Sequence, residues 1–341
     1  MGGLSFRSVE TVDYHTGGEP FRIVTAGAPD IPGATVRDRR EHARASAEVD
    51  RVRRLLCNEP RGHADMYGCF PVAPDDGGAR LGVLFWHKDG FSTACGHGTN
   101  ALGVWAVESG LVAAAADGAT EVPIDVPSGR VVARVRCAGG AVQDVTFRNV
   151  PSYVLARDVP VATPFGALRV DVAYGGAIYA SVPAAAAGLA VDPAAYGDLI
   201  ALGRAVKAAL EGTEHARHPS DDRLSGVYGT IVFDDLGDAG GGPHQRNVTV
   251  FADGEVDRSP CGSGTCARAA LLHAEGRLGR GATLTHDSIV GTSFGARVAD
   301  VVREEGRDAL VVEVRGAAYR TGEHRFVLDP RDPVGTGFVL R

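Results

Sequence analysis

A seven-residue segment occurs twice in this chain of 341 residues, and the recurrence limits what the chain can fold into. Cys95-Gly96-His97-Gly98-Thr99-Asn100-Ala101 returns 166 residues later as Cys261-Gly262-Ser263-Gly264-Thr265-Cys266-Ala267. Both copies read Cys-Gly-x-Gly-Thr-x-Ala, and each runs straight into a helix-like segment. A second pair precedes them: Val12-Asp13-Tyr14-His15-Thr16-Gly17-Gly18 and Val170-Asp171-Val172-Ala173-Tyr174-Gly175-Gly176, both Val-Asp-x-x-x-Gly-Gly. From the second glycine to the cysteine is 77 residues in the first half and 85 in the second. Shared order and near-matching spacing imply two homologous domains related by a pseudo-twofold. Chance similarity of Gly-rich turns would have to occur twice in the same order. The length agrees, because a chain of this size makes about two domains. It can bury roughly three quarters of its unfolded surface, so disulfides are not needed to hold it together.

Short β-branched runs bounded by Gly, Pro or Asp predict strands at 21–25, 81–86, 130–136, 142–147, 168–172, 226–233, 247–251, 309–314 and 324–328. Helix-like runs are fewer: parts of 36–56, then 99–109, 193–211 and 264–275, with Gly110 and Gly276 placed as helix-ending glycines. There is no regular β-α alternation. The pattern suits an α/β (α+β) chain of two domains, each a mainly antiparallel or mixed sheet wrapped around a helix. Residues 113–120 and 234–245 read as surface loops, the second, rich in Gly and Asp, as the mobile one.

Composition removes several function classes. A formal charge of −7 disfavours nucleic acid as a partner. No apolar run approaches the ~20 residues of a membrane span. Met1-Gly2-Gly3-Leu4-Ser5-Phe6 lacks the basic and apolar regions of a signal peptide, and Phe6 stands where a myristoylation site needs Ser or Thr. The cysteines Cys57, Cys69, Cys95, Cys137, Cys261 and Cys266 therefore point to a reducing compartment, the cytoplasm. No Cys-x-x-Cys or His/Cys cluster has zinc spacing, so no metal is expected. Among 35 basic residues only Lys88 and Lys207 are lysine, and neither sits in a motif suited to a pyridoxal-phosphate Schiff base.

The chemistry lies in the two cysteine turns. The first turn of a helix leaves backbone N–H groups unpaired, and glycines let a ligand come close to them. Those donors and the helix dipole hold an anion and favour a thiolate over a thiol. Two such turns facing each other would place a cysteine on each side of the carbon next to a carboxylate. One thiolate would take the α-proton, the other thiol would deliver one to the opposite face, and the carboxylate donors would stabilise the enolate-like charge between.

Both turns also match a loose Gly-x-Gly-x-x-Ala dinucleotide fingerprint. That reading needs a preceding parallel strand, and neither Phe91-Ser92-Thr93-Ala94 nor Asp257-Arg258-Ser259-Pro260 is one. A nucleophilic Cys95 with His97 would suit a hydrolase or transferase. Two residues of separation at a helix start do not obviously allow a Cys–His hydrogen bond, and Ser263 replaces the histidine in the second copy. Two inert buried cysteines would not need a Gly-x-Gly-Thr context, and a non-catalytic amino-acid binder would not need two cysteines.

At these residues the chain resembles the proline racemase family of proline racemases, 4-hydroxyproline 2-epimerases and trans-3-hydroxyproline dehydratases. The likeness runs through His15-Thr16-Gly17-Gly18-Glu19-Pro20, Glu59-Pro60-Arg61-Gly62-His63, the two cysteine motifs, Tyr174-Gly175-Gly176, Asp257-Arg258-Ser259-Pro260, Asp332-Pro333 and Gly337-Phe338. It implies a diaminopimelate-epimerase-like fold with the active site between domains, no cofactor, and a homodimer. Domains of 1–155 with 328–341, and of 156–327, are expected. By position, Cys95 and Cys261 would be the acid/base pair. His97 and Asp257 would contact the ring nitrogen, a carboxylate being suited to a secondary ammonium. The N–H groups of Gly96, His97, Gly262 and Ser263 would hold the carboxylate. Asp257 as a helix-start anion, and His63 as packing for the Arg61 loop, are the structural alternatives. Dehydratases of the family carry threonine in place of the second cysteine, so Cys261 favours inversion. Asp65-Met66-Tyr67-Gly68 and Ser92-Thr93-Ala94 look like the dehydratase branch. Tyr67 and Phe251 fall where proline racemases wall the ring with aromatics, and Ser92 could serve a ring hydroxyl. Proline racemase is the first expectation, 4-hydroxyproline 2-epimerase the second, trans-3-hydroxy-L-proline dehydratase the third.

Overall fold

In a computed structural model, which describes residues 8–340, the repeat becomes two halves with the same order of pairing. The readings made on residues 1–6 lie outside the described residues. The first half runs β1 (Val9–Thr16), β2 (Glu19–Ala26), α1 (Val36–Ala45), α2 (Ala47–Cys57), β3 (Gly68–Val72), β4 (Leu81–His87), β5 (Gly90–Phe91), α3 (Gly96–Glu108), β6 (Gly118–Val126), β7 (Gly129–Ala138) and β8 (Ala141–Arg148). The second runs β9 (Tyr153–Thr163), β10 (Gly166–Tyr174), β11 (Ile178–Pro183), α4 (Tyr196–Leu210), β12 (Val227–Ala239), β13 (Gly242–Phe251), β14 (Glu255–Asp257), α5 (Gly262–Ala274), β15 (Thr283–Ser288), β16 (Ser293–Glu304), β17 (Arg307–Gly316) and β18 (Ala318–Phe326).

In the first half β1 pairs β2 antiparallel, β2 lies parallel to β3, β3 pairs β4 antiparallel, β4 lies parallel to β6, and β6–β7–β8 form an antiparallel meander. The second half repeats this series with β10, β11, β12, β13 and β15–β16–β17. Each parallel step needs a crossover. In the first half α1 and α2 make the β2–β3 crossover and α3 the β4–β6 one, and in the second half α4 makes the β11–β12 crossover and α5 the β13–β15 one. Thr35 opens α1 with a reciprocal capping box to Asp38. Ser46 closes α1 and caps α2 through its side chain, which breaks the 36–56 stretch in two.

Helices α3 and α5 are buried along nearly their whole length, as central helices of a wrapped sheet must be. Helix α3 packs on β1, β2, β7, β8 and β18, and α5 on β9, β10, β11, β16 and β17. The last strand, β18, therefore returns to pair with β1, just as β9 pairs with β10. A β8–β17 pairing joins the two sheets.

The expected mixed α/β architecture of two pseudo-symmetric domains is thus present. One local expectation fails. Residues 234–245, read as a mobile loop, extend β12 and β13 as a two-stranded arm paired from Asp234↔Arg246 to Ala239↔Gly242. Cross-strand backbone bonds form whatever the side chains, so Gly and Asp content misleads there. The other expected loop, 113–120, is irregular up to Asp117 and then enters β6.

Candidate active site

The two cysteine turns meet at the pseudo-twofold. A Cβ built on Gly96 would lie 2.5 Å from the Gly262 Cα, and one built on Gly262 would lie 2.6 Å from the Gly96 Cα. Only glycine at both places lets the starts of α3 and α5 touch backbone to backbone. The Gly-Gly turns explain themselves in the same way, because each braces the cysteine turn of the other half. The Gly176 O accepts from Thr93 Oγ1 at 2.8 Å, and a Cβ on Gly176 would strike the Ala94 side chain. Gly17 packs in the matching manner on Ser259, and its carbonyl accepts from Thr292 Oγ1 at 2.8 Å.

Cys95 is the N-cap of α3 in an extended conformation (φ −156°), and its Sγ accepts the Gly98 N–H at 3.2 Å. That conformation turns the thiol back over the first helical turn, 3.4 Å from His97 Nε2 and 3.6 Å from Nδ1. The two-residue spacing did not suggest this contact. Cys261 is the N-cap of α5 but has φ +61°, a left-handed conformation that a side chain normally avoids. Its N–H donates to Ser259 Oγ at 3.1 Å, and its Sγ lies 3.8 Å from the Tyr179 hydroxyl. Both cysteines are 6% exposed.

The charge state differs from the sequence expectation. Helix starts favour thiolate, and Gly98 N–H pulls Cys95 that way. Burial outweighs it and holds both thiols well above the ordinary cysteine value, with the Asp257 charge adding to the rise at each. The resting thiols are therefore neutral.

Asp257 ends β14, 3% exposed. Its Oδ1 accepts from Ser259 N–H at 2.8 Å and Ser259 Oγ at 2.6 Å, and its Oδ2 lies 3.6 Å from His97 Nδ1. Gly96, His97, Gly262 and Ser263 occupy first-turn positions whose N–H groups have no partner within their own helix. The Ser263 hydroxyl is buried with no hydrogen-bond partner.

An aromatic wall stands beside these groups. Tyr67 packs edge-on to His97 with ring centres 5.0 Å apart, and 5.7 Å from Phe251. Phe251 stacks on Tyr228 at 5.5 Å, and Tyr228 meets Tyr179 at 5.6 Å. The wall carries its own polar group. The Tyr67 hydroxyl bonds Ser92 Oγ at 2.5 Å and the Tyr228 hydroxyl at 3.0 Å. Burial pushes Tyr67, Tyr179 and Tyr228 above the ordinary phenol value, so all three stay protonated donors.

Three residues here escaped the sequence reading: Tyr179, Tyr228 and Glu19. The repeat itself could have found the first. Tyr179 follows Gly176 by three residues as Phe21 follows Gly18, and the Phe21 ring packs edge-on to His97. Glu19 is fully buried. Its Oε2 accepts Arg258 N–H at 2.8 Å, while Oε1 has no partner. Burial, then the Asp257 charge, raises its pKa well above the carboxylate range. Among the described residues, His87, Asp89 and Glu255 bring three donor atoms close enough to hold a metal ion, but Lys88 Nζ already lies 3.5 Å from Asp89 Oδ2. His63 sits in its own loop, accepting Asp65 N–H at Nδ1.

Comparison with known proteins gives the family and matches the fold. A family described as proline racemase matches residues 11–339. A trans-3-hydroxy-L-proline dehydratase of Burkholderia cenocepacia is 45% identical over 98% of this chain and 99% of its own length. A 3-hydroxyproline 2-epimerase of Burkholderia multivorans is 45% identical with the same coverage. A crystal structure of a hydroxyproline epimerase from Agrobacterium vitis, with bound trans-4-OH-L-proline, superposes with a TM-score of 0.91 at 30% identity, covering 98% of this chain and 96% of that one.

Proposed function

The chain belongs to the proline racemase family, and on that premise we propose that it is a cofactor-independent, two-cysteine 2-epimerase of a hydroxyproline. The observation that carries the proposal is the pair of buried cysteines on abutting helix starts, Cys95 and Cys261, with Asp257 beside His97. The Gly96, His97, Gly262 and Ser263 N–H groups would hold the substrate carboxylate. His97 and Asp257 would hold the ring ammonium, whose positive charge favours the thiolate that burial alone suppresses. One cysteine, as thiolate, takes the α-proton. The electron pair moves into the carboxylate, and the other cysteine's thiol protonates the opposite face. The two cysteines exchange protonation states in each turnover.

The sequence alone ranked proline first. The Tyr67, Ser92 and Tyr228 hydroxyls favour a hydroxylated ring instead, because a wall of plain apolar rings would serve an unsubstituted one. Relatives named for 3-hydroxyproline support that position of the hydroxyl over the 4-position. Dehydration of trans-3-hydroxy-L-proline is the second reading. It needs one base and loss of hydroxide from the neighbouring carbon, and several relatives bear that name. The second thiol, Cys261, favours epimerisation. The proposal includes a homodimer and the domain division 1–155 with 328–341 and 156–327, a boundary that the pairing of β18 with β1 crosses.

The test is proton NMR in D₂O with L-proline, trans-4-hydroxy-L-proline and trans-3-hydroxy-L-proline in parallel. We expect the α-proton signal of the 3-hydroxy compound to fade as the 2-epimer grows. An imine product from the same compound would establish the dehydratase instead, and turnover of proline alone would return it to first place.

A further inference from the structure

Two hairpin tips meet beside the aromatic wall. The β4–β5 tip carries His87, Lys88 and Asp89, and the β13–β14 tip carries Ala252, Asp253 and Gly254. Each tip occupies the same place in its half of the repeat. The Asp253 N–H donates to Asp89 Oδ2 at 2.7 Å, and Lys88 Nζ donates to the Asp253 carbonyl at 3.2 Å. His87 Nδ1 lies 3.3 Å from Glu255 Oε1, and both residues are buried. From the second half, Lys207 Nζ reaches the Ala252 carbonyl at 2.6 Å. The only two lysines of the chain thus both end on one turn. That turn holds Ala252 at φ +48°, a conformation that for alanine must be held by its surroundings. It lies between Phe251 of the wall and Asp257 of the site.

A cleft of about 840 Å³ runs along this junction. It is lined by His87, Asp89 and Asp253 and extends to Ser92 and Tyr228, the two residues whose hydroxyls engage Tyr67. Cys95 and Cys261 do not line it.

We propose that the two tips form a latch between the halves, which keeps the cysteine chamber shut and, on release, opens it to this cleft. Asp89 and Lys88 are the positioning residues. Losing their grip on the 252–254 turn frees Phe251 and Asp257 together, since both are continuous with it. The inference rests on the proposed function only in taking the chamber as the place a substrate must enter, and its test needs no substrate.

All six cysteines are free and buried, so their reactivities separate local opening from unfolding. Resting protein and the variants Asp89→Ala and Lys88→Met are labelled with N-ethylmaleimide, and each cysteine is followed by peptide mass spectrometry. Removing a charge-assisted hydrogen bond should raise labelling of Cys95 and Cys261 by about tenfold or more. Cys57, Cys69, Cys137 and Cys266 should keep their wild-type rates. Wild-type labelling of Cys95 and Cys261 in both variants overturns the latch, and so does a parallel rise at all six cysteines. A protein that turned over no proline derivative would still give the latch pattern, so the two proposals fail separately.

Discussion

Burial, more than any single neighbour, sets the charge state of the residues around Cys95 and Cys261. It is the largest cause of the raised pKa of both thiols, of Tyr67, Tyr179 and Tyr228, and of Glu19. The site at rest is thus short of negative charge, which suits a chamber waiting for a zwitterion. Glu19 shows the cost most plainly. Its carboxyl is held protonated in the folded chain, whereas an unfolded chain releases the proton at the ordinary value. Folded stability is therefore full below that value and declines as pH rises above it. Glu19→Gln keeps an acceptor for the Arg258 N–H and removes the titration. Its melting temperature should exceed the wild type's at pH 7 and converge on it near pH 4, as read by calorimetry across that range. A lower melting temperature at pH 7 would mean that Glu19 is ionised and paired in the fold.

The decisive elements are α3 and α5, whose starts touch through Gly96 and Gly262. Gly262→Ala would drive a methyl group into the Gly96 backbone, which has no flexible end to yield. Overpacking of this kind costs about 1–3 kcal/mol. A displacement of about 1 Å at a catalytic group costs on the order of a hundredfold in rate. A steady-state assay beside a melting curve should show kcat/KM down about a hundredfold with the fold retained. Near-normal kcat/KM would show that the contact does not set the cysteine geometry.

How legible these elements were depended on what marks them. Both helices were located within three residues, because Gly-x-Gly-Thr at the start and Gly110 or Gly276 at the end are local signals. Seven of the nine expected β-branched strands fall within strands, the other two overrun at Gly226 and at 327–328, and β1, β3, β5, β6, β9, β11, β14, β15 and β16 went unmarked. Strand β9 alternates buried and exposed residues only in part, and β11 is a short fully paired segment, so neither shows a clean period of two. The cysteines, His97 and Asp257 could be read from motifs. The position of Tyr228 in the wall could not, since it arises from the parallel pairing of β11 with β12 across α4.

At the scale of the molecule, the repeat is an architecture for putting two like groups on opposite sides of one carbon. Each half supplies a cysteine turn, and each Gly-Gly turn braces the other half's cysteine, so neither half makes the site alone. Strands β18 and β9 carry the chain across the boundary, and no helix among the described residues is long and apolar enough to cross a membrane. The central claim is that both cysteines act, one on each face. It is tested by offering trans-3-hydroxy-L-proline in D₂O to the wild type, Cys95→Ser and Cys261→Ser, and following inversion and deuterium uptake at the α-carbon. Inversion with one deuterium gained is expected in the wild type, and inversion slower by at least about a hundredfold in each single variant. Wild-type inversion in either variant would contradict it.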